Sequence, residues 1–189
     1  MPHIHINGKE LQVQEHLTVL DAAKQAGIHI PTMCFLEGRP PLGACRICLV
    51  EIKNARTLMA ACSTPVQEGM EIFTNSKRVR EARRTVVELL LSEHDGDCQT
   101  CERGDDCELR ELARQLGVKD VRYEGERTAG VTDYSTPALI RDSSKCIKCR
   151  RCVEVCGQVQ TVGALFPQNR GFQTVIGPAF TRGLDEVAC

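Results

Sequence analysis

The chain has 189 residues, a formal net charge of −1 and 26% charged side chains. That balance leaves no basic footprint for nucleic acid, and no apolar run approaches the ~20 residues that a membrane-spanning helix needs. Aromatic residues are scarce, at two Tyr, five Phe and no Trp, while cysteine is abundant at twelve, so bound metal rather than a large apolar core is expected to supply folding free energy.

The amino-terminal segment predicts a small β-rich domain with one helix. Ile4 and Ile6 alternate with His3 and His5, Asn7-Gly8 marks a two-residue hairpin turn, and Leu11 and Val13 resume the alternation. Thr18 and Asp21 form a capping box that opens a helix through Val19, Leu20, Ala22, Ala23 and Ala26, and Gly27 closes it. Leu49, Val50 and Ile52 predict a strand, and Met70, Ile72 and Phe73 a further one; a helix crossing such a mixed sheet is a β-grasp arrangement. Cys34, Cys45, Cys48 and Cys62 are spread over this segment. Beside Cys45, the small Gly43 and Ala44 let backbone N–H groups turn inward toward sulfur, which stabilises a more negative, reduced centre. Taken singly, Cys34 or Cys62 also suits a buried core thiol.

From Ser76 a helix is predicted, with Val79, Ala82, Val86, Leu89 and Leu90 on one face and Lys77, Arg78, Arg80, Arg83 and Arg84 on the others. The basic run reads as a solvated helix surface, with a docking face for an acidic partner as the second reading. The helix leads into His94, followed by Cys98, Cys101 and Cys107. Three thiolates leave a cubane one ligand short; His94 lies one turn upstream, Gly96 gives the chain room to fold back, and imidazole is a competent iron ligand. His3, His5, His16 and His29 have no comparable cysteine neighbours and are not assigned as ligands. A second amphipathic stretch follows through Leu109, Leu112, Ala113 and Leu116, ended by Gly117.

Residues 118–137 read as a connector. Cys146, Cys149, Cys152 and Cys156 then form the bacterial ferredoxin run C-x2-C-x2-C-x3-C, with Gly157 where that run has Pro. Val153, Val155 and Val159 suggest a short helix, and Gly163–Phe166 and Thr174–Pro178 short strands. In two-cluster ferredoxins the fourth Cys of each run serves the other cluster. On that rule Cys146, Cys149 and Cys152 hold one cubane, while Cys156 joins Cys189 on a further one, and the chain is expected to continue past Cys189. The other reading closes the third site with Cys156 as fourth ligand.

Clustered cysteines admit other chemistry. A disulfide framework is disfavoured because Met1 is followed by polar, β-forming sequence without a basic and then apolar leader, and dense cysteine in a reducing compartment points to metal or catalysis. Zinc usually takes two C-x2-C pairs, whereas the third group offers three cysteines in consecutive steps and a fourth. A zinc-stabilised interaction protein is the alternative reading, and a thiol-based redox enzyme a third. No G-x-G-x-x-G nucleotide fingerprint is present.

The loop Pro40–Cys48 resembles the [2Fe–2S] domain at the start of the iron–sulfur subunits of respiratory complex I and of iron-only hydrogenases, and His94 through Cys107 looks like the His(Cys)3-ligated [4Fe–4S] motif of the same families. The three groups in series are similar to the amino-terminal region of NAD(P)-linked, often electron-bifurcating, iron-only hydrogenases. They are also similar to the complex I large iron–sulfur subunit, the diaphorase of NAD-reducing nickel–iron hydrogenases and NAD-dependent formate dehydrogenases. The resemblance implies an α+β chain of three modules: a β-grasp [2Fe–2S] ferredoxin-like domain over 1–77, a small helical [4Fe–4S] module over 78–117, and an incomplete bacterial-ferredoxin-like [4Fe–4S] domain over 138–189. It implies an electron relay without a catalytic site of its own, in the cytoplasm. The implied partners are a flavin-containing NAD(P)H-binding subunit, a thioredoxin-like [2Fe–2S] subunit and a hydrogenase or formate dehydrogenase catalytic domain or subunit.

Overall fold

The computed structural model describes residues 1–126 and 130–187. The chain forms two compact units, one of Met1–Val87 with Glu108–Lys119, the other of Glu88–Cys107 with the chain from Asp120 onward.

The first unit is built on a five-stranded mixed sheet. Strands β1 (His3–Ile6) and β2 (Lys9–Gln12) form the expected hairpin, with Ile6 opposite Lys9. Its turn residue Asn7 takes a positive φ of 53° and is tied down by Thr74, whose N–H donates to Asn7 Oδ1 at 2.9 Å. β3 (Leu49–Ile52), β4 (Met59–Ala60) and β5 (Glu71–Phe73) complete the order β2-β1-β5-β3-β4, with β1 and β5 parallel and the other pairs antiparallel. Helix α1 (Val19–Gln25) starts at the predicted capping box: Thr18 Oγ1 accepts from Asp21 N–H at 3.2 Å, and Thr18 N–H donates to Asp21 Oδ2 at 3.1 Å. Ile4, Ile6, Val19, Ala22, Val50 and Ile72 are fully buried in one core that also contains Cys48 and Cys62. Two cysteines of the first group are therefore part of what holds the sheet and helix together.

Helix α2 (Lys77–Glu93) is where the predicted helix falls, but it buries a different face. Val79, Arg83, Val87, Glu88 and Ser92 are buried, while Leu89 is 48% exposed. Arg83 thus departs from the expected solvated basic surface, because its guanidinium is taken up by backbone carbonyls. Helix α3 (Glu108–Gln115) buries Leu109, Leu112 and Ala113 as expected and ends before Gly117.

In the second unit, β6 (Thr132–Asp133) pairs antiparallel with β7 (Arg141–Asp142), and β8 (Phe166–Gln168) with β9 (Val175–Gly177). The connector thus contributes a strand, and Arg141 Nη1 donates to Ile176 O at 2.6 Å. Helix α4 (Arg151–Glu154) runs into a π-helical turn over Val155–Val159, the short helix expected after Cys152. Among the described residues no helix is long and apolar enough to cross a membrane.

Candidate metal centres

Cys34, Cys45, Cys48 and Cys62 are all buried, and Cys34, Cys48 and Cys62 are each only 2% exposed. They are arranged as two pairs. Cys45 donates to Cys34, and this bond, helped by the backbone N–H groups of Cys45 and Ala44, lowers the Cys34 thiol to about 5. Cys45, the donor in that pair, is raised, first by holding this bond and then by burial. Cys48 and Cys62 repeat the pattern, with Cys62 lowered to about 7 by the bond from Cys48, and Cys48 raised. Between the pairs the interaction is charge repulsion rather than hydrogen bonding.

Two sulfurs side by side with two more is a donor set that would suit a binuclear centre. A single tetrahedral zinc would instead take all four at one point. The inward N–H groups expected from Ala44 and its neighbours are present at Cys34. They are presented by a loop in which Gly43 and Arg46 both take left-handed angles, φ 60° and 57°.

The second group lies at the end of α2. Burial lowers the His94 pKa, so the imidazole is neutral near pH 7, the form a metal accepts. Cys98 is exposed, and Cys101 and Cys107 are half-buried. The loop carrying them is wound tightly: Gly104 N–H donates to Cys101 O at 2.8 Å. A Cβ at Gly104 would lie 2.7 Å from Cys98 O and 3.0 Å from Cys101 O. Gly104 shapes this loop although the cysteine spacing did not single it out; a glycine inside a cysteine loop was the available signal.

The third group winds through left-handed Lys148 and Arg150, φ 56° and 63°, with Lys148 N–H donating to Cys146 Sγ at 3.3 Å. Cys146, Cys149 and Cys152 lie near enough for mutual repulsion to add to burial in raising Cys146 and Cys152. Cys156 is held by its own contacts, buried in the π-helical turn with Ala164 N–H donating to its Sγ at 3.1 Å. Cys189 lies outside the described residues. Around His94 the second and third groups are tied together within this unit. Asp95 N–H donates to Ser144 O at 3.2 Å, Lys145 Nζ meets Asp95 Oδ2 at 3.0 Å, and Lys148 Nζ pairs with Glu93.

Paired buried thiols with N–H donors, followed by two further cysteine-bearing loops, define an iron–sulfur electron carrier. Residues 2–77 match the 2Fe-2S iron-sulfur cluster binding domain, and residues 83–122 match the NADH-ubiquinone oxidoreductase-G iron-sulfur binding region. The chain is 44% identical over 191 aligned residues to an NADP-reducing hydrogenase subunit of Solidesulfovibrio fructosivorans, covering 98% of this chain and 33% of that one. It is 36% identical to the NADH-ubiquinone oxidoreductase 75 kDa subunit of Reclinomonas americana, covering 93% of this chain and 26% of that one. A chain in the crystal structure of an NAD+-reducing [NiFe]-hydrogenase in the H2-reduced state superposes with a TM-score of 0.91 at 30% identity, covering 100% of this chain and 80% of that one. The chain belongs to the iron–sulfur family shared by NAD(P)-linked hydrogenases and complex I; it binds both [2Fe–2S] and [4Fe–4S] clusters, and its role is electron transfer. It spans about a third or less of the length of these two relatives.

Proposed function

We propose that this chain relays electrons between a flavin-containing, NAD(P)H-binding partner and a hydrogenase-type or formate-dehydrogenase-type catalytic site. In this reading Cys34, Cys45, Cys48 and Cys62 hold a [2Fe–2S] cluster in a β-grasp domain over 1–77. His94, Cys98, Cys101 and Cys107 hold a [4Fe–4S] cluster over 78–117. After the 118–137 connector, Cys146, Cys149 and Cys152 hold another over 138–189, while Cys156 and Cys189 serve a further one. A thioredoxin-like [2Fe–2S] subunit is proposed as a second partner and the cytoplasm as the location. The observation that carries the reading is the double pair of buried thiols with backbone N–H groups aimed at Cys34. The relatives' NAD(P)-linked names support the endpoints.

When bound, such clusters take up and give back single electrons. The chain's own residues set the terms of that exchange. The N–H groups of Ala44 and Cys45 offset the negative charge gathered at Cys34. Burial of all four cysteines keeps water from the first site. Neutral His94 contributes one less negative charge than a thiolate would in its place.

Anaerobic purification with iron, zinc and acid-labile sulfide analysis tests the carrier. The expected protein is brown, with iron and sulfide for one [2Fe–2S] and at least one [4Fe–4S] cluster, and it is reduced by NADPH or NADH only once a flavin subunit is added. A colourless protein with stoichiometric zinc and no labile sulfide would instead establish the zinc-stabilised alternative.

A further inference from the structure

Arg83 is 5% exposed, although it stands in a helix whose other basic residues point to solvent or to exposed acceptors. Its Nε donates to Ile47 O at 3.0 Å and its Nη2 to Leu49 O at 2.7 Å. These carbonyls flank Cys48, itself 2% exposed. The guanidinium therefore grips the backbone on both sides of one cysteine of the first group, reaching it from a helix that begins well past Cys62.

Two neutral carbonyls accept from the guanidinium but do not neutralise its charge. A buried cation without a counter-charge is costly, and burial accordingly lowers the Arg83 pKa to about 10. The ionisable group pulling in the opposite direction is Cys48, which favours the charged guanidinium when it is a thiolate, the form a cluster ligand takes. A [2Fe–2S] cluster held by four thiolates is dianionic when oxidised and gains one further negative charge on reduction. A fixed cation nearby stabilises the second state more than the first, so it raises the reduction potential.

We propose that Arg83 is a positioning residue for the [2Fe–2S] centre, bracing the Cys48 loop through Ile47 and Leu49 and holding a permanent positive charge beside the Cys48 sulfur that raises the cluster's potential. The proposal rests on the reading in which Cys34, Cys45, Cys48 and Cys62 hold that cluster. It assigns a basic residue of α2 to the electronic properties of a site on another element.

Redox titration of the full chain, loaded anaerobically and followed by electron paramagnetic resonance, tests it with Arg83→Lys, Arg83→Gln and Arg83→Met. Gln retains a donor without charge, Lys retains charge without the fork, and Met retains neither. The expected result is a more negative midpoint for the [2Fe–2S] signal in the Gln and Met variants, unchanged cubane midpoints, and a Lys variant close to wild type. The Met variant also releases iron fastest, because both carbonyls lose their donors. Gln and Met variants that titrate with wild type, or a Lys variant shifted as far as Met, would overturn the proposal. If the Gln and Met variants fail to hold the cluster, the Lys variant decides. Loading at the wild-type midpoint supports the assignment, whereas failure to load or a displaced midpoint rejects the charge. A wild-type chain without a binuclear signal would instead remove the ligand assignment beneath it.

Discussion

Replacing Gly104 by alanine adds one methyl group to the His94–Cys107 loop and tests whether its tight winding is required. The new Cβ would sit 2.7 Å from Cys98 O and 3.0 Å from Cys101 O. Both are backbone atoms of residues assigned as ligands, so no flexible side chain can swing away to relieve the overlap. Forcing such a group into a packed space costs about 1–3 kcal/mol. Relief by opening the loop lengthens the 2.8 Å bond from Gly104 N–H to Cys101 O, and losing a hydrogen bond costs about 1 kcal/mol more. Each 1.4 kcal/mol is roughly tenfold in an equilibrium, so the closed, ligand-competent loop should become about thirtyfold to several-hundredfold less favoured. The assay is iron and sulfide content after anaerobic gel filtration, combined with paramagnetic resonance of the reduced protein. One [4Fe–4S] signal should be diminished or lost, with the [2Fe–2S] signal intact. Full loading of every cluster with wild-type iron-release rates would refute the steric reasoning.

Three further outcomes are expected. His94→Cys should keep a cubane but lower its potential, because thiolate brings a charge that neutral imidazole does not, whereas His94→Ala should make that cluster labile; unchanged midpoints and iron content in both would remove His94 from the ligand set. The pH dependence has a defined sign. Burial holds the folded His94 pKa below its ordinary 6.5, so the neutral form's contribution is present above that range and is lost as pH falls through the lowered value, and reconstitution at pH 7.5 should exceed that at pH 5. Ile72→Ala, at the fully buried centre of the first sheet, should cost about 2–5 kcal/mol and lower the thermal midpoint of the first unit, read by circular dichroism; a midpoint within a degree of wild type would contradict the packing described.

Local chemistry made several elements legible in the sequence. The Asn7-Gly8 hairpin and the Thr18–Asp21 capping box need only neighbouring residues to define them, and both appear at the predicted positions. Cys45 with Cys48, and Cys146 with Cys149 and Cys152, were legible as candidate ligands for the same reason, since two-residue spacings keep thiols in one short stretch of chain. What the sequence hid is set by distant partners. β4 is two residues long and exists because Met59 and Ala60 pair with Val50 and Leu49. Arg83 looked like one of several surface cations, and only the carbonyls of Ile47 and Leu49 explain its burial in place of Leu89. Gly104 carries no motif, and its importance lies in two carbonyls that only the folded loop brings near.

The ties around His94 bear on the timing of electron flow. Tunnelling rates fall steeply with the gap an electron must cross, so a carrier whose loops drifted would conduct unevenly from one molecule to the next. Here the backbone bond from Asp95 to Ser144 and the two lysine pairs, Lys145 with Asp95 and Lys148 with Glu93, act as three short struts between neighbouring loops. Because two of the struts are ionic, strong salt should loosen the spacing that the backbone bond alone would then have to keep. On the proposed ligand assignment, conduction along this stretch of chain would thereby respond to the ionic strength of its surroundings.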